Sequence, residues 1–175
     1  MISDLQIRVI NLDRSVDRLQ GVARDLDGAH LTWQRFKGVE PPLSTYLNHA
    51  LYNRKAAKKF NGEDLNRGQV GCFLSHLGVI ESFLSSSQAY LLVLEDDVAV
   101  VDGSVMVLSE ILEYLRVGNA SGWQCLNLTE AYPKRRRLVV EFERWRLYRA
   151  YYFPILTSGL LWSRSGAESF INHVL

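Results

Sequence analysis

Cysteine, net charge and long apolar runs are all scarce in this sequence, and each scarcity excludes a class of protein. The two cysteines, Cys72 and Cys125, lie far apart, which excludes a disulfide-dense scaffold and a zinc-finger pattern. Twenty Lys and Arg balance nineteen Asp and Glu, so no global positive field would attract nucleic acid. No apolar run approaches the roughly 20 residues that a membrane-spanning helix needs.

These scarcities also indicate where the protein works. A chain with so few cysteines is typical of a reducing compartment. The first residues carry acids and no long apolar run, so they do not resemble a secretory signal. We therefore expect a cytoplasmic protein, with at most a peripheral association at the inner face of a membrane.

Apolar residues are abundant enough for one folded domain. The chain has 175 residues, of which 47% are apolar and 22% charged. A domain of this size buries about 70% of the surface that its unfolded chain exposes, so it needs no disulfide or structural metal. We expect a single domain over 1–175 that is short at its C-terminal end. The last predicted helix runs to Leu175, so either the chain is a small form of its fold or further structure is missing.

Strand and helix patterns alternate along the chain. Apolar and β-branched runs predict strands over 7–10, 31–36, 90–94, 123–128 and 159–162, with a β-ribbon over 138–153. Apolar residues at three- and four-residue spacing predict helices over 16–26, 44–60, 70–84, 104–115 and 165–175. Ser104 is a candidate cap, and Ser165 opens a candidate capping box. The alternation predicts an α/β fold with a mainly parallel central sheet flanked by helices.

Three consecutive acids close the most apolar predicted strand. Glu95, Asp96 and Asp97 follow residues 90–94, where ligands of open α/β sheets bind. Adjacent carboxylates repel one another unless a cation offsets their charge, and Mg²⁺ or Mn²⁺ prefers such oxygen ligands together with phosphates. Glu95 and Asp97 would point to the same side if the chain stayed extended. The pattern favours a metal–diphosphate site over an acidic loop in which an Asp caps a turn.

A polar turn with two arginines follows the first predicted strand. Asn11 and Asp13 stand where that strand ends, and the next helix would offer its first N–H groups to an anion. Arg14 and Arg18 are four positions apart and would share a helix face. Binding of nucleotide phosphates and ordinary helix capping, with Asp17 paired to an arginine, explain this pattern equally well.

The predicted helix over 70–84 has a small, partly polar stripe beside its apolar one. Gly68 and Gly71 allow close approach of backbone or ligand, and Cys72, Ser75 and His76 follow. A packed helix with a satisfied histidine explains this pattern without any function. Adjacent serine and histidine do not have the geometry of a catalytic triad.

Basic residues collect around the predicted ribbon. Residues 134–137 are all Lys or Arg, and Trp145 and Tyr148 lie among further arginines. An anionic acceptor, a lipid surface or nucleic acid would suit this cluster. A solvated ribbon with arginine–aromatic stacking is favoured, because Glu141 and Glu143 dilute the positive charge.

Four blocks of the chain together resemble glycosyltransferase family 25, the group of lipooligosaccharide-biosynthesis and collagen galactosyltransferases. The blocks are residues 9–18 (VINLDRSVDR), 65–76 (LNRGQVGCFLSH), 92–98 (LVLEDDV) and 158–167 (SGLLWSRSGA). The combination of Gly-Cys-x-x-Ser-His with Leu-Glu-Asp-Asp is the most specific part. Gln69 stands where the family commonly has glutamate.

The resemblance implies a GT-A-like nucleotide-sugar fold that transfers a hexose, typically galactose, from a UDP-sugar to a lipooligosaccharide or other glycan. Glu95 and Asp97 would be the catalytic and metal-binding acids, with Mn²⁺ or Mg²⁺ as cofactor. The donor-binding residues that the resemblance implies are Asn11, Asp13, Arg14, Arg18, Ser75, His76 and Asp96.

The catalytic base and two other functions stay open at this stage. An inverting transfer needs a carboxylate to accept the acceptor's proton, and the candidates are Glu95, Asp102 and Glu130. A catalytically inactive, nucleotide-sugar-binding member of the family is the main alternative. A Mg²⁺-dependent phosphohydrolase ranks last, because the sequence has no obvious nucleophile or phosphate-binding loop.

Overall fold

The computed structural model describes residues 4–118, 122–129, 135–152 and 155–175. A five-stranded sheet is flanked by helices, and two further strands form a ribbon. The strands are β1 (Leu5–Asn11), β2 (Gln34–Lys37), β3 (Tyr90–Glu95), β4 (Cys125–Asn127), β5 (Arg136–Glu141), β6 (Arg146–Ala150) and β7 (Gly159–Ser163). The helices are α1 (Val16–Gly28), α2 (Arg54–Asn61), α3 (Arg67–Leu84), α4 (Ser104–Arg116) and α5 (Arg164–Val174).

The sheet confirms the α/β class, but its strands do not all pair in parallel. The strand order is β2-β1-β3-β7-β4, and β1 pairs in parallel with both β2 and β3. β7 lies between β3 and β4 and is antiparallel to both. A helix returns the chain before β3 and before β4, whereas β7 follows the ribbon of β5 and β6. The sheet is therefore mixed, and the expectation of a mainly parallel sheet is met only in part.

The pleat of β3 divides the core into two layers. Leu92 and Leu94 pack on the side of α1 and α4, while Leu91 and Val93 pack on the side of α3. Side chains alternate along a strand, so the next residue, Glu95, falls on the α3 side and Asp96 on the α1 side. The alternation of side chains along β3 thus places the two adjacent acids at its end on opposite faces of the sheet.

Helix α3 begins with a capping box that explains Gln69. The Asn66 side chain accepts a hydrogen bond from the Gln69 backbone N–H at 2.9 Å, and Gln69 Oε1 accepts one from the Asn66 N–H at 2.8 Å. Glutamine fills this position as well as glutamate does, because the box needs only an acceptor oxygen. The loss of a charge at Gln69 therefore leaves the helix start intact.

Two helix starts differ from the sequence prediction. Ser163, the last residue of β7, caps α5 by accepting from the Gly166 N–H at 3.0 Å, so the predicted capping box at Ser165 is wrong. The strand runs straight into the helix and leaves no turn in which Ser165 could cap. Helix α4 begins after Gly103, whose φ of 85° only glycine adopts readily, and Ser104 is its first residue rather than its cap.

The predicted helix over 44–60 is wrong in extent. The chain forms one 3₁₀ turn at Tyr46–Asn48 and then α2, which starts after Asn53. The Asn53 side chain accepts a hydrogen bond from the Ala56 N–H at 3.0 Å. Asn53, which lies in the middle of the predicted helix, is therefore the N-cap of α2, and the helix starts only after it.

The predicted ribbon is confirmed as β5 and β6, and it packs against α4 through Trp145. The Trp145 ring lies 4.2 Å from that of Phe142, and its Nε1 donates to Glu110 at 2.8 Å. The Arg136 guanidinium lies 4.6 Å from the centre of the Tyr148 ring, which is the stacking expected there. Lys134 lies outside the described residues.

Among the residues that the structure describes, no helix is both long and apolar enough to cross a bilayer.

Candidate active site

Polar side chains from three strands meet at one edge of the sheet. The parallel strands β1, β2 and β3 all end there, at Asn11, Lys37 and Glu95. Because β7 runs the other way, it starts at the same edge, where Gly159 pairs with Leu94. The topology therefore brings residues that are distant in sequence to the carboxyl ends of the strands, where such sheets bind ligands.

Asn11 and Asp96 form a buried link between β1 and β3. Asn11 is only 2% exposed, and its Nδ2 donates to Asp96 Oδ2 at 2.7 Å and to the Ser15 carbonyl at 2.9 Å. Arg35 Nε donates to Asn11 Oδ1 at 2.9 Å, so both ends of the amide are used. Arg18 lies on the open side of Asp96, with Nη1 3.4 Å from Oδ1. Two donors thus compensate the charge of Asp96.

Asp13 lies between two cations that β2 supplies. Its carboxylate oxygens lie 2.6 Å from Arg35 Nη2 and 2.6 Å from Lys37 Nζ. Hydrogen bonds from Lys37 and then Arg35 hold the pKa of the Asp13 carboxyl below its usual value. The turn after β1 is therefore tied to β2 and carries local positive charge.

Arg14 and Arg18 do not share a helix face. Arg14 precedes α1, which starts at Val16, and its guanidinium pairs with Glu40. Arg67 also reaches Glu40, at 3.1 Å. Of the two arginines, only Arg18 lies on the helix and contacts the acidic end of β3.

Glu95 turns away from Asp96 and toward α3. Its Oε1 accepts hydrogen bonds from His76 Nε2 at 3.2 Å, from Cys72 Sγ at 3.6 Å and from the Thr157 hydroxyl. The hydrogen bond from His76 is the main reason that the pKa of Glu95 is lowered, and Thr157 adds to it. Burial is the main reason that the pKa of the Cys72 thiol is raised. Glu95 is therefore an ionised carboxylate with three donors on one oxygen.

Asp97 stands beyond the end of β3 and is exposed. The chain turns here, with the Val98 N–H 3.4 Å from the Glu95 carbonyl, so Glu95 and Asp97 do not lie along an extended strand as expected. Within the part of the chain that the structure describes, Asp97 makes no hydrogen bond or ion pair. Its charge contributes to the raised pKa of Cys72, which places it within electrostatic range of that side of the site.

The two acids predicted to hold a metal differ in how well they fit one. Asp97 offers exposed, uncommitted oxygens, which suits Mg²⁺ or Mn²⁺ held by one carboxylate and the phosphates of a ligand. Glu95 Oε1 already accepts from three donors, two of them on α3. The geometry fits a hard cation at Asp97 better than one shared with Glu95.

Ser75 connects α3 to the loop after β2. Its Oγ donates to the Gly71 carbonyl at 2.7 Å and accepts from the Val39 N–H at 2.8 Å. The side chain is buried, and both of these partners are backbone groups. Ser75 thus positions the loop at the sheet edge, and its predicted contact with a donor stays a prediction.

Three residues that contact the site could not be identified from the sequence, because they lie far from the site residues along the chain. Arg35, Lys37 and Thr157 all contact predicted site residues, but they belong to no motif, and only the strand order brings them near. Of the candidate bases, Asp102 is exposed in the turn before α4, and Glu130 lies outside the described residues.

Comparisons with known proteins match most of the chain to one family. The family model described as glycosyltransferase family 25 (LPS biosynthesis protein) matches residues 4–174. A "Glycosyltransferase 25 family member" of Anopheles gambiae is 28% identical over 144 residues, which are 79% of this chain and 23% of that protein. One of Aedes aegypti is 29% identical over 143 residues, which are 79% of this chain and 22% of that protein.

A third relative carries a different description. The "Inactive glycosyltransferase 25 family member 3" of Mus musculus is 33% identical over 69 residues, which are 39% of this chain and 12% of that protein. The chain spans less than a quarter of the length of the curated relatives it matches.

Proposed function

The chain belongs to glycosyltransferase family 25, and on that premise we propose that it transfers a hexose, galactose in the first instance, from a UDP-sugar to a glycan acceptor. The observation that carries the proposal is the arrangement of the three acids at the end of β3. Three consecutive acids there have three different environments, and the exposed one, Asp97, is the acid left for a metal–diphosphate ligand. We further propose a GT-A-like arrangement, which the edge of the parallel strands supports.

The donor diphosphate would bind between Asp97 and the start of α1. Ser15 precedes that helix without a side-chain capping hydrogen bond, so the first N–H groups remain for an anion. Arg18 lies one turn further on, is 61% exposed, and contacts Asp96 only at 3.4 Å. Mn²⁺ or Mg²⁺ held by Asp97 would neutralise the charge on the departing UDP.

Glu95 would act on the reaction through its charge. Its pKa is lowered, so it stays ionised and is a weak proton acceptor. A fixed negative charge at the strand end stabilises the positive charge that develops on the sugar as the bond to UDP breaks. The base that deprotonates the acceptor is a separate group in this proposal.

Release of UDP from UDP-galactose in the presence of Mn²⁺ tests the proposal. We expect Asp97→Ala to lower the rate by about tenfold or more, because the metal loses its protein ligand. Glu81→Ala is the matched control, since Glu81 is an exposed acid near the far end of α3. Equal release from wild type and Asp97→Ala would remove the proposed role of Asp97.

Binding of the nucleotide-sugar without turnover is the second candidate function. The match to a mouse protein named inactive favours it. Calorimetry would then detect UDP binding that depends on Asp97, while no acceptor supports UDP release. A rate of UDP release above the control without protein would exclude this candidate.

A further inference from the structure

Cys72, His76 and Glu95 bring one sulfur, one nitrogen and one oxygen together beside the acidic edge. The three potential ligand atoms all lie within 4.8 Å of one another. We propose that these residues bind Zn²⁺, or a divalent ion of similar ligand preference, at a position distinct from the hard-cation position at Asp97. This proposal goes beyond the transferase activity and does not depend on it. With Zn²⁺ bound, Glu95 would no longer offer the free negative charge that the proposed transfer uses, so the metal-bound form would transfer more slowly.

Two of the three ligand–ligand distances match the edges of a tetrahedral zinc site. Bonds of about 2.1 Å to nitrogen and oxygen and about 2.3 Å to sulfur put neighbouring ligand atoms roughly 3.3–3.6 Å apart. His76 Nε2 lies 3.2 Å from Glu95 Oε1, and Cys72 Sγ lies 3.6 Å from the same oxygen. The Glu95 oxygen therefore already stands at the separation from sulfur and nitrogen that a shared ion requires, and the third pair of ligand atoms lies within 4.8 Å.

The fold holds these ligands on two rigid elements. Cys72 and His76 are four positions apart on α3, which places them on one face of the helix. Glu95 ends β3, the central strand of the sheet, and its side chain points to that helix face. A site built from a helix and a buried strand is more precisely positioned than one built from loops.

The three protein ligands would leave the fourth position of a tetrahedral ion open, and the partly exposed Glu95 side chain indicates that solvent reaches it. His76 is only 6% exposed, whereas the Glu95 side chain is 26% exposed. His76 Nδ1 is buried and has no hydrogen-bond partner among the described residues, so contacts on the Nε2 side set the ring orientation. Thr157 closes one side, with its hydroxyl 3.4 Å from Cys72 Sγ. Water would occupy the fourth position.

The ligand set selects against the cation that suits Asp97. Thiolate and imidazole are soft or intermediate ligands that favour zinc, while Mg²⁺ takes oxygen ligands and keeps its waters. On binding, the Cys72 thiol loses its proton to the buffer and the sulfur forms the bond to the metal. The proton on His76 Nε2 moves to Nδ1, which leaves the Nε2 lone pair for the metal. Glu95 exchanges its hydrogen bonds from Cys72 and His76 for the metal.

Titration with Co²⁺ tests the site, because cobalt is a coloured substitute for zinc. We expect one equivalent to bind with a thiolate-to-cobalt charge-transfer band, and Zn²⁺ but not excess Mg²⁺ to remove the band. Cys72→Ser should abolish the band. Cys125→Ser, which changes the other cysteine, should retain it, and Glu95→Gln should weaken binding by about tenfold or more.

Alkylation of the wild-type protein gives a test that does not rely on variants folding. Zn²⁺ should slow the reaction of Cys72 with iodoacetamide several-fold, as measured by peptide mass spectrometry, with Cys125 as the internal reference. Equal Cys72 rates with and without Zn²⁺, or a cobalt band that persists in Cys72→Ser, would overturn the proposal. Neither readout uses turnover, so a failure here and a failure of UDP release from UDP-galactose are separate results.

Discussion

Gly71 lies where α3 packs against the loop after β2. A Cβ atom at this position would stand 2.6 Å from the Val39 carbonyl oxygen and 3.2 Å from Pro41 Cδ. Both neighbours lie in the backbone or in a rigid ring, so neither can move aside cheaply. The same loop is held by the hydrogen bond from the Val39 N–H to Ser75. The glycine is thus required by packing at the sheet edge.

Gly71→Ala should lower the free energy of unfolding by about 1–3 kcal/mol, because the added methyl displaces the loop backbone. Gly21→Ala is the matched control: Gly21 lies in α1, an added methyl there would meet nothing within 4 Å, and we expect a gain of about 0.5–1 kcal/mol. Urea unfolding measures both changes. Equal changes in the two variants would contradict the packing argument.

That Asn11, Arg18 and Asp96 belong to one candidate site could be predicted from the sequence, but how they pair could not. Three acids at the end of an apolar strand indicate a charged site, and the resemblance to the family adds Asn11 and Arg18 to it. Asn11 and Asp96 are 85 positions apart, and Thr157 and Glu95 are 62 apart. No local pattern encodes such contacts, because they depend on which strands become neighbours.

At the scale of elements, Ser163 joins β7 to α5. Its Oγ accepts from the Gly166 N–H and donates to the Trp123 carbonyl at 2.9 Å. Ser163→Ala should therefore cost about 0.5–2 kcal/mol of unfolding free energy, measured by urea titration. Ser165→Ala, at the position that the sequence pattern favoured, changes an exposed residue and should cost less. A larger loss at Ser165 would restore the sequence prediction.

The segment between α2 and α3 depends on an ion pair that acid should break. Arg54 Nη2 lies 2.7 Å from Asp64 Oδ2, and this pairing is the main reason that the pKa of Asp64 is lowered from its ordinary value of 3.8. A lowered folded-state pKa adds stability that is fully present above the unfolded value and is lost as the pH falls through the folded value.

Asp64→Asn should therefore lower the melting temperature at neutral pH, and the difference from wild type should shrink as the pH falls below about 3.8. Melting curves between neutral pH and strong acid give the comparison. Glu63→Gln changes the exposed neighbouring acid and serves as control. A difference that is independent of pH would show that Asp64 stabilises through something other than its charge.

Elements with a strong apolar pattern could be predicted from the sequence. Elements whose bounds or direction depend on contacts with the rest of the fold could not. The apolar stripe of α3 and the apolar run of β3 located both elements to within a few residues. The pattern over residues 44–60 suggested one helix, since Asn53 looks like any polar surface residue until its side chain caps the next turn. The direction of β7 also follows from its connections rather than from its own five residues.

For the whole molecule, a ligand at the sheet edge should stabilise the entire fold. Under the proposed function, UDP with Mn²⁺ at about 100 times its dissociation constant adds roughly 2.7 kcal/mol to the unfolding free energy. Chelation of the metal with EDTA should remove most of the gain, as should Asp97→Ala. Thermal unfolding measures it. If UDP gave the same gain in unfolding free energy in the presence of EDTA, nucleotide binding would not depend on the metal.

The position of β7 also matters while the chain is being made. Leu91 and Val93 share their core layer with Leu160 and Trp162 of β7, and β7 begins 64 residues after β3 ends. A nascent chain that has left the ribosome only as far as β4 therefore exposes an apolar strand with an open edge. Such edges recruit other chains. We expect such incomplete chains to aggregate more readily than the folded protein, and a chaperone that shields β3 until β7 emerges to raise the yield.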